Sequence, residues 1–406
     1  MNLDIDALRQ QFPSLRSGIA HFDGPGGTQT PLAVIQAISA ALSAPLSNRG
    51  RGISSERNAD DAVGAFRAAF ADFLGVPAEG VVYGRSATQL NYDFSRALAK
   101  SWKPGDEIVV TRLDHDANIR PWVQAAEASG ATLRWIDIDP LTAELDMASA
   151  GAAINERTRL VAITAASNLL GTMPPVRAVA DLAHSVGALV HVDGVHFAAH
   201  HLVDLAAMGA DLFVCSPYKF LGPHCGVLAG KPELLEQIHP DKLLPSTNDV
   251  PERFELGTLP YEIMAGATAA VDFLAGLAPV DGAARRQRLA TAFDAIDDHE
   301  LMLRRQLEDA FANLDDRVVV HSRAADRTPT LLVTFPGRRC WDAYEFLAAR
   351  NILAPAGNFY AYEPFRRLAL DDDHALRLGL APYNTADEVV RVGEALAYFL
   401  AAPPNR

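Results

Sequence analysis

Twelve residues near the middle of the chain, VHVDGVHFAAHH from Val190 to His201, hold four histidines and an aspartate. Histidine and carboxylate at this spacing suit a zinc or iron site. They suit equally a single working aspartate with polar neighbours. Further on, SPYKFLGP puts Ser216, Tyr218 and Lys219 directly after the apolar run DLFVC. Upstream, Arg85, Ser86, Ala87 and Thr88 follow GVVYG, and His115 sits in RLDHDAN after EIVVT. Ser167 and Asn168 sit in AASNLLGT after RLVAIT. A lone loop histidine or lysine is usually a solvated surface group. Here each polar group follows a short apolar run, and that recurrence carries the information.

The elements that must position these groups are strands alternating with helices. GVVYG, DEIVVTRL, TLRWIDID, RLVAITAAS, LVHVDG and DLFVCS read as strands. Between them, Leu90, Phe94 and Leu98 fall on one helical face, and IRPWVQAAEASG reads as a helix stopped by Gly130. The alternation predicts a mainly parallel sheet with helices on both faces. Ligands of such sheets bind beyond the carboxyl ends of the strands. At those ends the sequence puts a His, an Asn, an Asp and a Lys. Free N–H groups at Ser86, Ala87 and Thr88 would open a helix and suit a phosphate, or simply form an ordinary N-cap. Asp193 and Lys219 are 26 residues apart, about one strand–helix–strand step. Adjacent strands would then bring a carboxylate and an amine to one cleft. Pyridoxal 5′-phosphate (PLP) needs that pair: a lysine to form the Schiff base, and an aspartate to keep the pyridine nitrogen protonated.

The segments RLDHDANIRPW, AASNLLGT, HVDGVHFAAH, SPYKFLGPHCGVL, FELGTLPYEIMAG and LRLGLAPYNTADEV resemble the class V aminotransferase superfamily. More narrowly, they resemble its cysteine desulfurase and selenocysteine lyase branch, from about His21 to Leu400. The resemblance implies an α/β fold-type I PLP-dependent transferase: a large domain on a mainly parallel, seven-stranded sheet and a smaller C-terminal α+β domain. It implies that Lys219 bonds the cofactor, Asp193 partners the ring nitrogen, His115 stacks on the ring and Asn168 bonds the ring oxygen. Ser86, Ala87, Thr88 and Ser216 fall where the phosphate is held, and His196 lies near the ring oxygen, where desulfurases usually carry glutamine. Arg377 matches the arginine that grips the substrate's α-carboxylate, with Asn168 beside it. Thr258, in FELGT, would reach the phosphate of a neighbouring subunit, which implies a homodimer. On this assignment Asp193 serves the cofactor, and no metal is expected in the histidine-rich stretch.

The departures bear on the reaction. Cysteine desulfurases carry a loop cysteine that takes sulfur as a persulfide. The matching loop, APAGNFYAYEP, has none; Tyr360 stands about where the nucleophile belongs, and a family arginine is replaced near Pro355. The residue before the lysine, often histidine, is Tyr218. Cys225 is near Lys219 in sequence but outside the nucleophile's position, and Cys340 begins a helix with no catalytic neighbours in sequence. The expected reaction is therefore α,β-elimination by a cysteine-independent C–S lyase, with Tyr360 either donating a proton or packing over the cleft. An aminotransferase or an epimerase on the same scaffold is the alternative. A non-catalytic cofactor- or partner-binding relative is disfavoured, because Lys219, Asp193, His115, Asn168 and Arg377 are all present.

Composition limits the setting. With 36 Lys and Arg against 50 Asp and Glu, the net charge of −14 argues against nucleic-acid or anionic-membrane binding. MNLDIDALRQQFPSL lacks the pattern of a signal peptide, and AGATAAVDFLAGLAPV is too short to span a bilayer. Three cysteines in 406 residues make no disulfide framework. A cytoplasmic protein is expected, acting on a small amino acid. Its divisions are expected at 1–20 (an N-terminal arm belonging to the small domain), 21–280 (the large cofactor domain) and 281–406 (the small domain).

Overall fold

The computed structural model describes residues 3–278, 280, 282–370 and 374–403. After β1 (Ala20–His21), seven strands form one sheet: β2 (Val81–Gly84), β3 (Glu107–Thr111), β4 (Thr132–Ile136), β5 (Thr158–Thr164), β6 (Leu189–Asp193), β7 (Leu212–Cys215) and β8 (Gly226–Gly230). Their order is β2-β8-β7-β6-β5-β3-β4. The run from β7 to β4 is parallel throughout, and β8 lies antiparallel between β7 and β2.

Alternate residues supply opposite faces, as the pleat requires. Val81, Val109, Val161, Val190 and Phe213 face a core shared with Phe66, Phe70 and Phe73 of the helix Ser54–Leu74. Val82, Val110, Ala162 and Val214 face the other side, under the helices Ala87–Ala99 and Arg120–Ser129. Leu90, Phe94 and Leu98 form the buried face of the first of these. Gly130 ends the second with φ of 75°, a left-handed cap that costs glycine little. Both faces of the sheet are covered, which is why its strands read as nearly continuous apolar runs.

The C-terminal part builds a second, antiparallel sheet from β9 (Val319–Val320), β10 (Thr330–Thr334), β12 (Ala356–Gly357) and β13 (Ala375–Gly379), in the order β12-β13-β10-β9. Strand β11 (Ile352–Leu353) pairs in parallel with β1. This sheet has its own core, including Phe22, Leu303, Phe311, Val333 and Leu376. The helix Arg285–Ala312 spans both cores: Leu289, Phe293 and Ile296 pack in the first, and Leu303, Leu307 and Phe311 in the second. The helix Ala386–Ala401 opens on a reciprocal cap between Thr385 and Glu388. Pro279 and Asp281, where the sequence places the junction of the two parts, lie outside the described residues, as do Met1 and Asn2 of the expected N-terminal arm. Among the described residues no helix is long and apolar enough to cross a membrane.

Candidate active site

The carboxyl ends of β3, β5, β6 and β7, with that of β2, meet along one edge of the large sheet. A cavity lies there, lined by Ser86, Ala87, Thr88, His115, Asn168, Asp193, His196, Ser216, Tyr218 and Lys219. Residues from five separate sequence segments therefore converge. A wider groove, lined by Met147, Met173, Phe197 and Met208, contains none of them.

Asp193 ends β6, in register with Thr164 on β5 and Val214 on β7. Its Oδ1 accepts the Val195 N–H at 2.9 Å. Burial pushes the carboxyl up to about 6, against that bond and the nearby Lys219 amine. Lys219 closes the short turn Pro217–Lys219 after β7, and its Nζ donates to the Pro25 carbonyl. Burial, with Arg377 close by, pushes the amine down to about 7. A buried amine that titrates near neutrality can act as a base there. His115 Nδ1 accepts the Ala117 N–H at 3.0 Å, which leaves the ring proton on Nε2. Burial, and then Lys219, push this imidazole down to about 4, so it is neutral at physiological pH.

At the far end Ser86 caps the helix Ala87–Ala99, its Oγ accepting the Gln89 N–H at 3.1 Å. Strand β8 passes so close behind that a Cβ on Gly226 would lie 2.4 Å from the Ser86 carbonyl carbon, so only glycine fits. In the wall, Asn168 Nδ2 donates to the Phe359 carbonyl at 3.0 Å while Oδ1 is buried without a partner. His196 Nε2 lies 2.9 and 3.1 Å from the Thr328 and Thr330 hydroxyls, and its Nδ1 is likewise buried and unpaired. Unpaired polar atoms are costly in a protein interior and mark where a polar ligand can bond.

Arg377 reaches this edge from β13 of the second sheet. It donates to Asp23 Oδ1 at 2.6 Å and to the Asn168 carbonyl at 3.0 Å. Its Cζ lies 3.8 Å from the centre of the Phe359 ring. Phe359 and Tyr360 have φ of 56° and 57°, a left-handed conformation that bulky residues rarely adopt. The Asn168 amide and the Asp116 N–H, which donates to the Tyr360 carbonyl at 2.8 Å, hold this turn. Tyr360 is 76% exposed, with its ring centre 5.7 Å from that of His115 at the cavity mouth. Thr258 is exposed and does not line the cavity of its own chain.

The four histidines of the central stretch take different partners, although the His196 and His200 rings lie 4.9 Å apart. His191 bonds Asn91 at 2.9 Å and packs on Trp122, His200 bonds Glu300 at 2.7 Å, and His201 packs on Phe197. Among the described residues no group of three or more His, Cys, Asp or Glu side chains is placed to hold a metal ion. Cys215, Cys225 and Cys340 are buried outside the cavity lining. Burial pushes the Cys215 and Cys225 thiols far above their ordinary range.

Three residues that sequence reasoning passed over belong to the arrangement. Asp23, in HFDGPGG, pairs with Arg377, and Phe359 covers the same guanidinium. Asp114, beside His115 in RLDHDAN, is wholly buried and accepts from the Thr111 hydroxyl and, at 2.7 Å, from Asn118 Nδ2. Burial pushes its carboxyl up to about 8, and Asp193 adds to the shift. The signals were present: a carboxylate just after β1 and another next to the loop histidine.

A seven-stranded, mainly parallel sheet with a lysine and an aspartate at adjacent strand ends is the architecture of fold-type I PLP enzymes. The aminotransferase class-V family model matches residues 20–392, and the chain belongs to that family. It is 30% identical to the aminotransferase-like protein FGM3 of Gibberella zeae, over 98% of this chain and 99% of that one. It is 32% identical to a cysteine desulfurase of Dickeya dadantii, over 96% and 95%. Among solved structures it superimposes on the cysteine desulfurase CsdA of Escherichia coli with a TM-score of 0.87 and 26% identity, covering 99% of this chain and 100% of the other. The chain is thus a PLP-dependent enzyme of a cysteine desulfurase-like type.

The residues present fit that cofactor. The helix N-terminus at Ser86–Thr88 could hold its phosphate. Asp193, whose burial disfavours the carboxylate, would regain its charge beside a cationic ring nitrogen. The unpaired Asn168 Oδ1 and His196 Nδ1 could bond its ring substituents.

Proposed function

We propose that the enzyme is a C–S lyase that acts on a small sulfur-containing α-amino acid by α,β-elimination, without storing sulfur on cysteine. The observation that carries this is the loop over the cleft. Phe359 and Tyr360 occupy it with no thiol, and the three cysteines are buried with none in the cavity lining. When bound, PLP supplies an electron sink for the carbanion that forms at Cα.

The chain's own groups do the rest. Arg377 holds the α-carboxylate, since a planar fork of donors matches it. Asp193 would hold a proton on the ring nitrogen, and His115, neutral with its proton on Nε2, would lie against the ring. Lys219, neutral over much of the range around pH 7, takes the Cα proton. The Cβ–S bond then breaks, the electron pair leaves with sulfur, and the proton on Lys219 goes to the departing thiolate. The released enamine hydrolyses to a keto acid and ammonia. Tyr360, at the mouth beside His115, either hydrogen-bonds the leaving group or closes the cleft by packing. Supporting a homodimer, Thr258 sits in an exposed segment next to the 45% exposed Leu256, free to reach a partner's phosphate.

The test is a product analysis on L-cysteine, L-cystine and related amino acids. Equal yields of pyruvate, ammonia and sulfide species support elimination. Conversion of the cofactor to its amine form, reversed by a keto acid, identifies an aminotransferase instead. Deuterium uptake at Cα without product identifies an epimerase.

A further inference from the structure

The proposed reaction leaves His200 and Glu300 without a part. Glu300 sits on the helix Arg285–Ala312, between the residues it gives to the first core and those it gives to the second. Its Oε2 is 2.7 Å from His200 Nδ1, with side-chain exposures of 3% for His200 and 2% for Glu300. Burying such a pair costs desolvation, so its place calls for a reason. His200 Nε2 is buried and has no hydrogen-bond partner. His200 also lines a small cavity with room for about one water. The other walls of this cavity include Thr28, Leu274, Leu380 and Lys219. Lys219 lines the cofactor cavity as well. Lys219 therefore borders both spaces.

We propose that His200, its Nδ1 proton held by Glu300, is a positioning residue whose Nε2 accepts a hydrogen bond from the protonated Lys219 amine through one water in the small cavity. A carboxylate on one ring nitrogen fixes the tautomer and makes the other nitrogen a better acceptor. No covalent bond changes: the ammonium donates to the water and the water to Nε2. The link steadies the amine once it carries the Cα proton, and so raises the pH at which the free amine loses its charge. The other groups facing Lys219 are Arg377, which opposes its protonation, Asp23 and Asp193, which favour it, His115, and the Tyr218 ring 5.0 Å away. His200 faces Glu300, His196 and His201, and Asp297 lies near Glu300. The inference rests on Lys219 being the reactive amine, but on none of the reactions open to it.

The test uses the full-length protein, stripped of cofactor and shown by restored absorbance to reload. Amine labelling of Lys219 is followed against pH by peptide mass spectrometry. His200→Asn keeps a group at the Nδ1 position but removes the acceptor facing the cavity, and the labelling midpoint falls by about half a pH unit, the size expected of one hydrogen bond. His200→Gln, which can place an oxygen near the Nε2 position, restores most of the shift. Glu300→Gln lowers the midpoint in the same direction and decides the matter if His200→Asn does not fold. An unchanged midpoint in folded His200→Asn, or failing that in Glu300→Gln, overturns the proposal while leaving the site intact if Lys219 still reloads. Cofactor that reloads on another lysine overturns both.

Discussion

Arg377 and Asp23 form an ion pair of 2.6 Å between β13 of the second sheet and the segment that follows β1, with the guanidinium almost fully buried. Among the described residues, two of the arginine's nitrogens are engaged, by Asp23 and by the Asn168 carbonyl, and Nε has no partner. A planar donor held this way is oriented before any substrate arrives. Arg377→Lys keeps the charge but loses the fork. We expect kcat/KM for the amino acid to fall by about 100-fold, or ~2.7 kcal/mol, with cofactor absorbance unchanged. Steady-state kinetics beside a cofactor spectrum check this.

Lys219→Ala is expected to abolish turnover. Borohydride reduction of the parent should fix the cofactor on the peptide that contains Lys219 and on no other. The motive is the amine's burial at the end of β7, with its pKa pushed down to about 7. An adduct on a different lysine removes the assignment.

Asp193→Asn should retain cofactor yet lose activity by about 100-fold or more, since an amide cannot stabilise a proton on the ring nitrogen. The cofactor content of the purified variant separates this outcome from simple loss of binding. Activity that instead followed added zinc or iron would return the histidine-rich stretch to metal chemistry.

Asp114 gives a pH dependence of stability. Its folded pKa, about 8, lies above its ordinary value of 3.8. The unfolded chain therefore gives up this proton at lower pH than the folded one. The contribution is fully present below about 4 and is lost as pH rises through about 8. In Asp114→Asn, which is neutral at every pH, thermal melts should show a shallower loss of stability over that window than the parent. Parallel curves for the two proteins would contradict the burial argument.

Most of the large sheet was legible because β2, β3, β5, β6 and β7 are buried, mainly apolar runs followed by polar residues, and parallel order follows from alternation with helices; the half-exposed edge strand β4 and the antiparallel β8 do not follow that pattern. The site was legible for the same reason: Ser86, His115, Asn168, Asp193 and Lys219 each follow a strand, and an open parallel sheet gathers strand ends at one edge. Relationships across the two sheets were not legible. Asp23 and Arg377 are 354 residues apart, and His200 and Glu300 are 100 apart. No periodicity couples such positions. Nor does the string Asn358–Tyr360 announce two consecutive left-handed residues, because that turn is held by the Asn168 amide and the Asp116 N–H rather than by glycine. The fate of His191, His196 and His200 likewise depends on their partners: Asn91, Thr328, Thr330 and Glu300 all come from elsewhere in the chain.

Tyr360→Phe separates the two roles open to that side chain. Its ring stays at the mouth beside His115 in either case. A large fall in kcat with little change in KM indicates that the hydroxyl acts in the chemical step, whereas unchanged turnover leaves packing. With Tyr360 76% exposed, we expect less than about a tenfold loss, short of the effect usual for a buried general acid.

The central claim is that sulfur leaves without being held on the protein. The most direct measurement is to trap the enzyme during turnover of L-cysteine with an alkylating reagent and examine Cys215, Cys225 and Cys340 by mass spectrometry. The account predicts sulfide and pyruvate in equal amounts and no persulfide on any of the three. A stoichiometric persulfide, above all on Cys225, that disappears together with activity when that residue is changed to Ser would contradict it.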